Sequence, residues 1–242
     1  MTATVVISVF GLFRPAEFVV QPARDPLTVQ CGGVSQKLEG AQQLTIRDGC
    51  VIVQPSRFVL WLPGRIRREF EGSLRIEARQ ALVEMDLESA VASVVASEMP
   101  VDAPTEALRA QAIVARSYYV SNSNHANGSF CDSTHCQHIR GVVPPEHAAA
   151  KAARATRGMV LEYEGLVLKA MYSGSCQGIR QPGAMEGYPY FAVECAYCRR
   201  KPSATKGLHF RGLCQAGAID LAKMGKDARA ILAHYYPGTR IR

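Results

Sequence analysis

DLESAVASVVASEMP, residues 86–100, is the stretch at which the chain changes character. Upstream, apolar and polar residues alternate in VVISVF, EFVVQ, LTVQC, QLTIR, CVIVQ, FVLWL, SLRIEA and ALVEM, with Pro and Gly between them. That period of two predicts antiparallel strands, and Asp48-Gly49 predicts a hairpin turn. From Asp86 onward the period is helical. Asp86 is placed to cap the helix, Glu88 lies in its first turn and Pro100 follows its end. Further helices are predicted over roughly 104–122 and 145–157, then a hairpin turning at Glu164-Gly165. One or two helices are predicted in AIDLAKMGKDARAILAHYY. Residues 123–143 read as a loop, and 173–215, rich in Gly, Pro and Cys, show little periodicity. The reading is α+β in a single domain over 1–242, with an antiparallel β-rich part, 1–85, before a mixed helix and strand part, 86–242.

Composition narrows the class. The 242 residues are 48% hydrophobic and 20% charged, as in an ordinary globular chain. No uninterrupted apolar run is long enough for a membrane span. The opening MTATVVISVFGLF lacks basic residues ahead of its apolar run and a small-residue cleavage site after it. It reads as a first strand, so an export signal or anchor is expected to lie outside this sequence. The formal charge of +7 suits an anionic partner, but the positive residues are scattered and the longest run is Arg199-Arg200-Lys201.

Three groups of residues carry chemistry. In the helix after Asp86, Val91, Val94, Val95 and Glu98 fall at i, i+3, i+4 and i+7, so a carboxyl group continues an apolar stripe. Desolvation there is expected to raise its pKa. In the next helix Arg109 and Arg116 lie two turns apart on one face, a spacing suited to gripping carboxylates. In the loop HANGSFCDSTHCQ, residues 125–137, His125, Cys131, His135 and Cys136 make an H-x5-C-x3-H-C set. A closed tetrahedral zinc site and a Cys131–Cys136 disulfide both fit that spacing, with His138 as a rival ligand. Cys195-x2-Cys198, with Cys176 and Cys214, is open between a second zinc site, a disulfide pair and reduced thiols. The states of Cys31 and Cys50 are open as well.

Taken together, EGSLRI (71–76), VVASEMP (94–100), EALRAQAIVARSYY (106–119), CDSTHCQ (131–137), AMYSGSCQG (170–178), GYPYF (187–191) and CQAGAIDLAKMGK…ILAHYYPGT (214–239) resemble the SpoIID/LytB family of bacterial cell-wall proteins. The resemblance runs over roughly residues 60–242 and keeps the family's order of motifs. It implies a SpoIID-like core with Glu98 as catalytic acid and Arg109, Arg116, Ser173, His209 and Gln215 as glycan-binding residues. It also implies structural zinc at His125, Cys131, His135 and Cys136, stapling a loop near Glu98. The chain departs from the family where glycines are usual, at Cys176-Gln177-Gly178 and along Leu208–Ala218, and Asp102 replaces a common Trp.

The sporulation members of that family are lytic transglycosylases acting on glycan strands stripped of stem peptides. The resemblance therefore implies cleavage of MurNAc–GlcNAc bonds to leave 1,6-anhydroMurNAc ends. One carboxyl group suffices for this, because the muramic C6 hydroxyl attacks internally. The implied partners are peptidoglycan strands and other wall hydrolases such as an amidase, in an extracytoplasmic setting. The alternative is a non-catalytic, LytB-like glycan-binding amidase modifier. A nucleic-acid binder is not expected, since residues 123–140 hold only Arg140 and Phe130 as basic and aromatic contacts beyond the histidines.

Overall fold

The computed structural model describes residues 3–121, 125–185, 188–202 and 211–242, with side chains throughout except at 184–185. The chain is α+β and divides into two compact units, residues 1–93 with 123–143 and residues 94–122 with 144–242.

The first unit is built on a nine-stranded sheet. Its strands are β1 (Thr4–Val9), β2 (Phe18–Pro22), β3 (Leu27–Cys31), β4 (Val34–Leu38), β5 (Leu44–Ile46), β6 (Cys50–Leu62), β7 (Ile66–Glu77), β8 (Gln80–Asp86) and, from the loop, β9 (Phe130–Cys131). The order is β4-β3-β6-β7-β8-β1-β9, with β2 also paired to β6 and β5 paired to β2. Alternation sets the faces. In β6 Phe58, Leu60 and Leu62 are buried, while Arg57, Val59 and Trp61 are only half-buried.

Two strand readings change. CVIVQ and FVLWL belong to the single strand β6, whose register shifts between Ile52 and Ser56. Pro55 lies inside that irregularity, where its missing N–H breaks no ladder bond. Asp48-Gly49 does turn the chain, with the Cys50 amide donating to Arg47 O at 3.0 Å. It joins no hairpin, however, because β5 pairs with β2 and not with β6. The charged start of β7, Ile66–Glu71, is strand because its outer face is paired across to β6. Arg57 bridges Glu69 at 2.9 Å, and the Arg67 guanidinium lies 4.7 Å from the centre of the Trp61 ring.

The sheet leads into α1 (Leu87–Glu98), where Asp86 Oδ1 accepts from the Ser89 amide at 3.0 Å as the expected cap. The boundary between the units falls within this helix, after Ser93.

The second unit is organised around α2 (Thr105–Ser121), which packs against α3 (Ala148–Ala155), α5 (Gln215–Lys223) and α6 (Ala228–Tyr235). Between them lie short strands β10 (Leu161–Tyr163), β11 (Leu166–Val167), β12 (Tyr172–Ser173), β13 (Ile179–Arg180), β14 (Gly183–Met185), β15 (Tyr188–Tyr190) and β16 (Val193–Glu194). They are followed by the short helix α4 (Ala196–Arg200), β17 (Leu213–Cys214) and, after α6, β18 (Arg240–Ile241). The expected hairpin at Glu164-Gly165 joins β10 to β11, with φ of 49° and 85° at its two central residues.

Tyrosines fill much of this core. Tyr188 stacks edge-on to Tyr163 and Tyr190 at centroid distances of 5.1 and 4.8 Å. Tyr236, fully buried, donates to Met171 O at 2.6 Å and accepts from the Leu213 amide at 3.0 Å. This tyrosine of HYYPGT thereby fixes the segments entering β12 and β17. No described helix is long and apolar enough to cross a membrane.

Candidate active site

Glu98 is the last residue of α1. The expected valine stripe is real, since Val91, Val94 and Val95 are fully buried. Ala90, Ala92, Ser93 and Ala96 are buried too, so the helix is enclosed nearly all round along this length. The stripe alone therefore does not single out Glu98. Glu98 is a half-buried carboxylate at the C-terminal end of the helix, where the other carboxylate of α1, Glu88, lies in the first turn. Pro100 stops the helix, and Pro104 O receives the Ala107 and Leu108 amides that begin α2.

The carboxylate lies within electrostatic reach of Tyr172 on β12. Burial first, then the charge of Glu98, holds the Tyr172 phenol far above the ordinary tyrosine range, with Tyr119, Tyr118 and Tyr236 adding to the effect. Tyr172 is therefore a neutral hydroxyl within electrostatic reach of an acid.

Ser173 follows on the same strand. Strands β12 and β17 run parallel with Ser173 opposite Cys214, which brings Ser173 and Gln215 to neighbouring positions. The Ala216 amide donates to Gly174 O at 3.0 Å. Ser173 Oγ donates to Ser175 O at 3.1 Å and accepts from Arg180 Nη1 at 2.9 Å. Arg180 is itself fully buried and also donates to Gly212 O at 2.7 Å and to Arg211 O. Gln215 Nε2 donates to Gln111 Oε1 on α2 at 3.3 Å. The sequence reading missed Tyr172 and Arg180; a lone arginine in a segment without periodicity carries no signal of burial. His209 lies outside the described residues.

The two arginines of α2 separate in role. Arg116 is 1% exposed and donates to Met159 O at 3.0 Å and Ala153 O at 3.1 Å. Its guanidinium ties α2 to α3 and to the segment before β10, so the shared open face expected from the spacing is absent. The reason is that α2 is buried on nearly every side from Ala110 to Tyr119. Arg109 lines a cleft of about 360 Å³ with Glu106, Thr156, Met159 and Arg229. It pairs with Glu106 at 2.6 Å, and the other oxygen of Glu106 accepts from the Ala228 amide at 2.9 Å. Arg229, unnoticed in the sequence, is the second guanidinium of this cleft.

The histidine and cysteine set belongs to the first unit. Strand β9 pairs in parallel with β1, placing Cys131 opposite Ser8 at the sheet edge. Next to it, Asp132 Oδ2 accepts from the Phe10 amide at 3.3 Å and from Arg68 Nη1 at 3.0 Å, fastening the loop. The four donor atoms of His125, Cys131, His135 and Cys136 lie within 4.8 Å of one another. Cys136 Sγ is 3.5 Å from both His125 Nε2 and His135 Nδ1. Hydrogen bonds from Cys136, Ser133, His125 and His135 hold the Cys131 thiol well below its usual range, at about 3. Two imidazoles and two sulfurs converging in this way are a donor set that could hold a tetrahedral metal ion. His138 is turned away to Asp132 O, 3.0 Å from its Nδ1. Among the remaining cysteines, Cys31 and Cys50 are joined as a disulfide across β3 and β6.

Compared with known proteins, residues 76–163 match the family model described as SpoIID, Stage II sporulation protein. The matched span contains Glu98, both arginines of α2 and the four-ligand loop, and ends before Ser173. No curated protein matches the chain. Over residues 76–163, which hold Glu98 at the end of α1 and the His/Cys loop after α2, the chain is similar to the SpoIID, Stage II sporulation protein, family.

Proposed function

We propose that the protein is an extracytoplasmic peptidoglycan lytic transglycosylase that cleaves MurNAc–GlcNAc bonds in strands lacking stem peptides. The observation that carries this is Glu98, a half-buried carboxyl group inside the family-matched span and within electrostatic reach of the neutral phenol of Tyr172. Glu98 in its acid form donates its proton to the glycosidic oxygen, which leaves as the O4 hydroxyl of GlcNAc. The resulting carboxylate takes the proton of the muramic C6 hydroxyl as that oxygen closes onto C1. The product is a 1,6-anhydro ring and the acid is regenerated, with no water consumed. No second carboxylate is needed.

Arg109 and Arg229 supply cationic donors for the lactyl carboxylate that muramic acid carries once its peptide is removed. Ser173, held by Arg180, and Gln215, held by Gln111, offer fixed hydroxyl and amide groups to sugar hydroxyls. His209 remains part of this proposed binding set on the family resemblance alone. Arg116 acts by bracing α2.

His125, Cys131, His135 and Cys136 would hold one zinc ion, whose bonds would tie the loop to itself and leave no open position for water. The Cys31–Cys50 disulfide supports an oxidising compartment. The proposal is tested by mass spectrometry of products from stripped and intact peptidoglycan. Anhydro ends from stripped strands support it. Strand binding without cleavage would favour the amidase-modifier reading.

A further inference from the structure

We infer that Cys176, Cys195, Cys198 and Cys214 bind a single zinc ion as four thiolates, a second metal centre within the core of the second unit. The four sulfurs lie within 4.8 Å of one another, and all four residues are buried. Cys198 Sγ and Cys214 Sγ are 3.5 Å apart. A tetrahedral zinc ion with bonds of ~2.3 Å places its sulfurs ~3.8 Å apart, so the cage has the size of one ion. A four-iron cluster spreads its ligand sulfurs much more widely and does not fit it.

Hydrogen-bond donors face the sulfurs. The Cys176 amide donates to Cys198 Sγ at 3.4 Å. The Cys198 amide donates to Cys195 Sγ within the Cys-x2-Cys knuckle, and the Gly217 amide to Cys214 Sγ at the start of α5. Tyr235 OH lies 3.5 Å from Cys195 Sγ. Backbone and hydroxyl donors directed at sulfur offset the negative charge that four thiolates leave around a divalent ion. Gly217 shows how tightly the space is reserved. A Cβ there would stand 2.6 Å from Cys195 Sγ and collide with Tyr235 OH.

The cluster is also unlinked in a chain that carries a disulfide elsewhere, at Cys31–Cys50. Convergent buried thiols stay unlinked, and tolerate each other's charge, when a soft-ligand metal occupies the space between them. Its place in the fold gives it a task. Cys176 lies just after Ser173, and Cys214 immediately precedes Gln215, so one ion fixes the backbone at both.

The test uses the full-length protein and does not depend on the activity assigned to Glu98. A C131S/C136S double variant lacks two donors of the loop set and should retain about one zinc per chain. X-ray absorption at its zinc edge should show four sulfurs at ~2.3 Å and no nitrogen. If that variant fails to fold, the wild type decides. Both centres filled give an average shell of three sulfurs and one nitrogen, and the second centre alone gives four sulfurs. Two sulfurs with two nitrogens, no zinc, iron in place of zinc, or disulfides mapped among the four cysteines would each overturn the inference.

Discussion

Tyr172 lies in the field of Glu98, and the carboxylate helps keep its phenol protonated far above the usual tyrosine range. A neutral hydroxyl beside the acid can stabilise the charge Glu98 carries between its two proton transfers. Tyr172→Phe keeps the ring and removes the hydroxyl. Turnover on stripped strands should fall about tenfold, the value of one hydrogen bond of ~1.4 kcal/mol, with KM nearly unchanged. An unchanged kcat would assign Tyr172 to packing alone.

The arginines of α2 should part in their effects. Arg109→Ala should weaken binding of stripped glycan by about 1–3 kcal/mol, the range of charge-assisted hydrogen bonds. The loss should shrink on chitin oligomers, which lack the lactyl carboxylate, and Arg229→Ala should behave likewise. Arg116→Ala should act on folding instead. It removes the Arg116 donor from Met159 O and from Ala153 O, of which Ala153 O keeps the Thr156 amide at 3.3 Å, a cost of about 1–3 kcal/mol in thermal unfolding. Equal binding losses on both glycans at Arg109 would remove the anion grip from the account.

Metal at the loop is checked by Cys131→Ser. Zinc content and thermal stability should fall together, because the ion's bonds exist only in the folded loop. A metal-free native protein with a Cys131–Cys136 disulfide would contradict the assignment.

Cys31→Ser opens the bridge between β3 and β6, whose cysteines are 19 residues apart in sequence. Stability should fall by ~3 kcal/mol, from the entropy a loop of that size regains on unfolding. Equilibrium denaturation under non-reducing conditions measures it.

What the sequence disclosed follows from how local each signal is. Helix α1 was legible because Asp86 caps it and Pro100 stops it. The β10–β11 hairpin was legible because Glu164-Gly165 suits positive φ. Strand β6 was cut in two at Pro55 because nothing local says that a proline falls on a register shift. The four donors of the loop lie close in sequence, so their spacing already suggested a cluster. Cys176 and Cys214 meet only because β12 pairs with β17, and a contact made by tertiary pairing leaves no periodic trace. Arg116 was misplaced for the same reason. Helical spacing sets which face a residue shares, but what covers that face is decided by α3 and by the segment before β10.

The central claim rests on one carboxyl group, and Glu98→Gln tests it most directly. The amide keeps the side chain's shape and cannot donate the proton that the leaving oxygen needs. The variant should fold as the wild type does, still bind stripped strands, and release anhydroMurNAc ends at least ~10²-fold more slowly, the lower range for general acid–base catalysis. A Glu98→Gln protein that releases them at the wild-type rate would contradict the account.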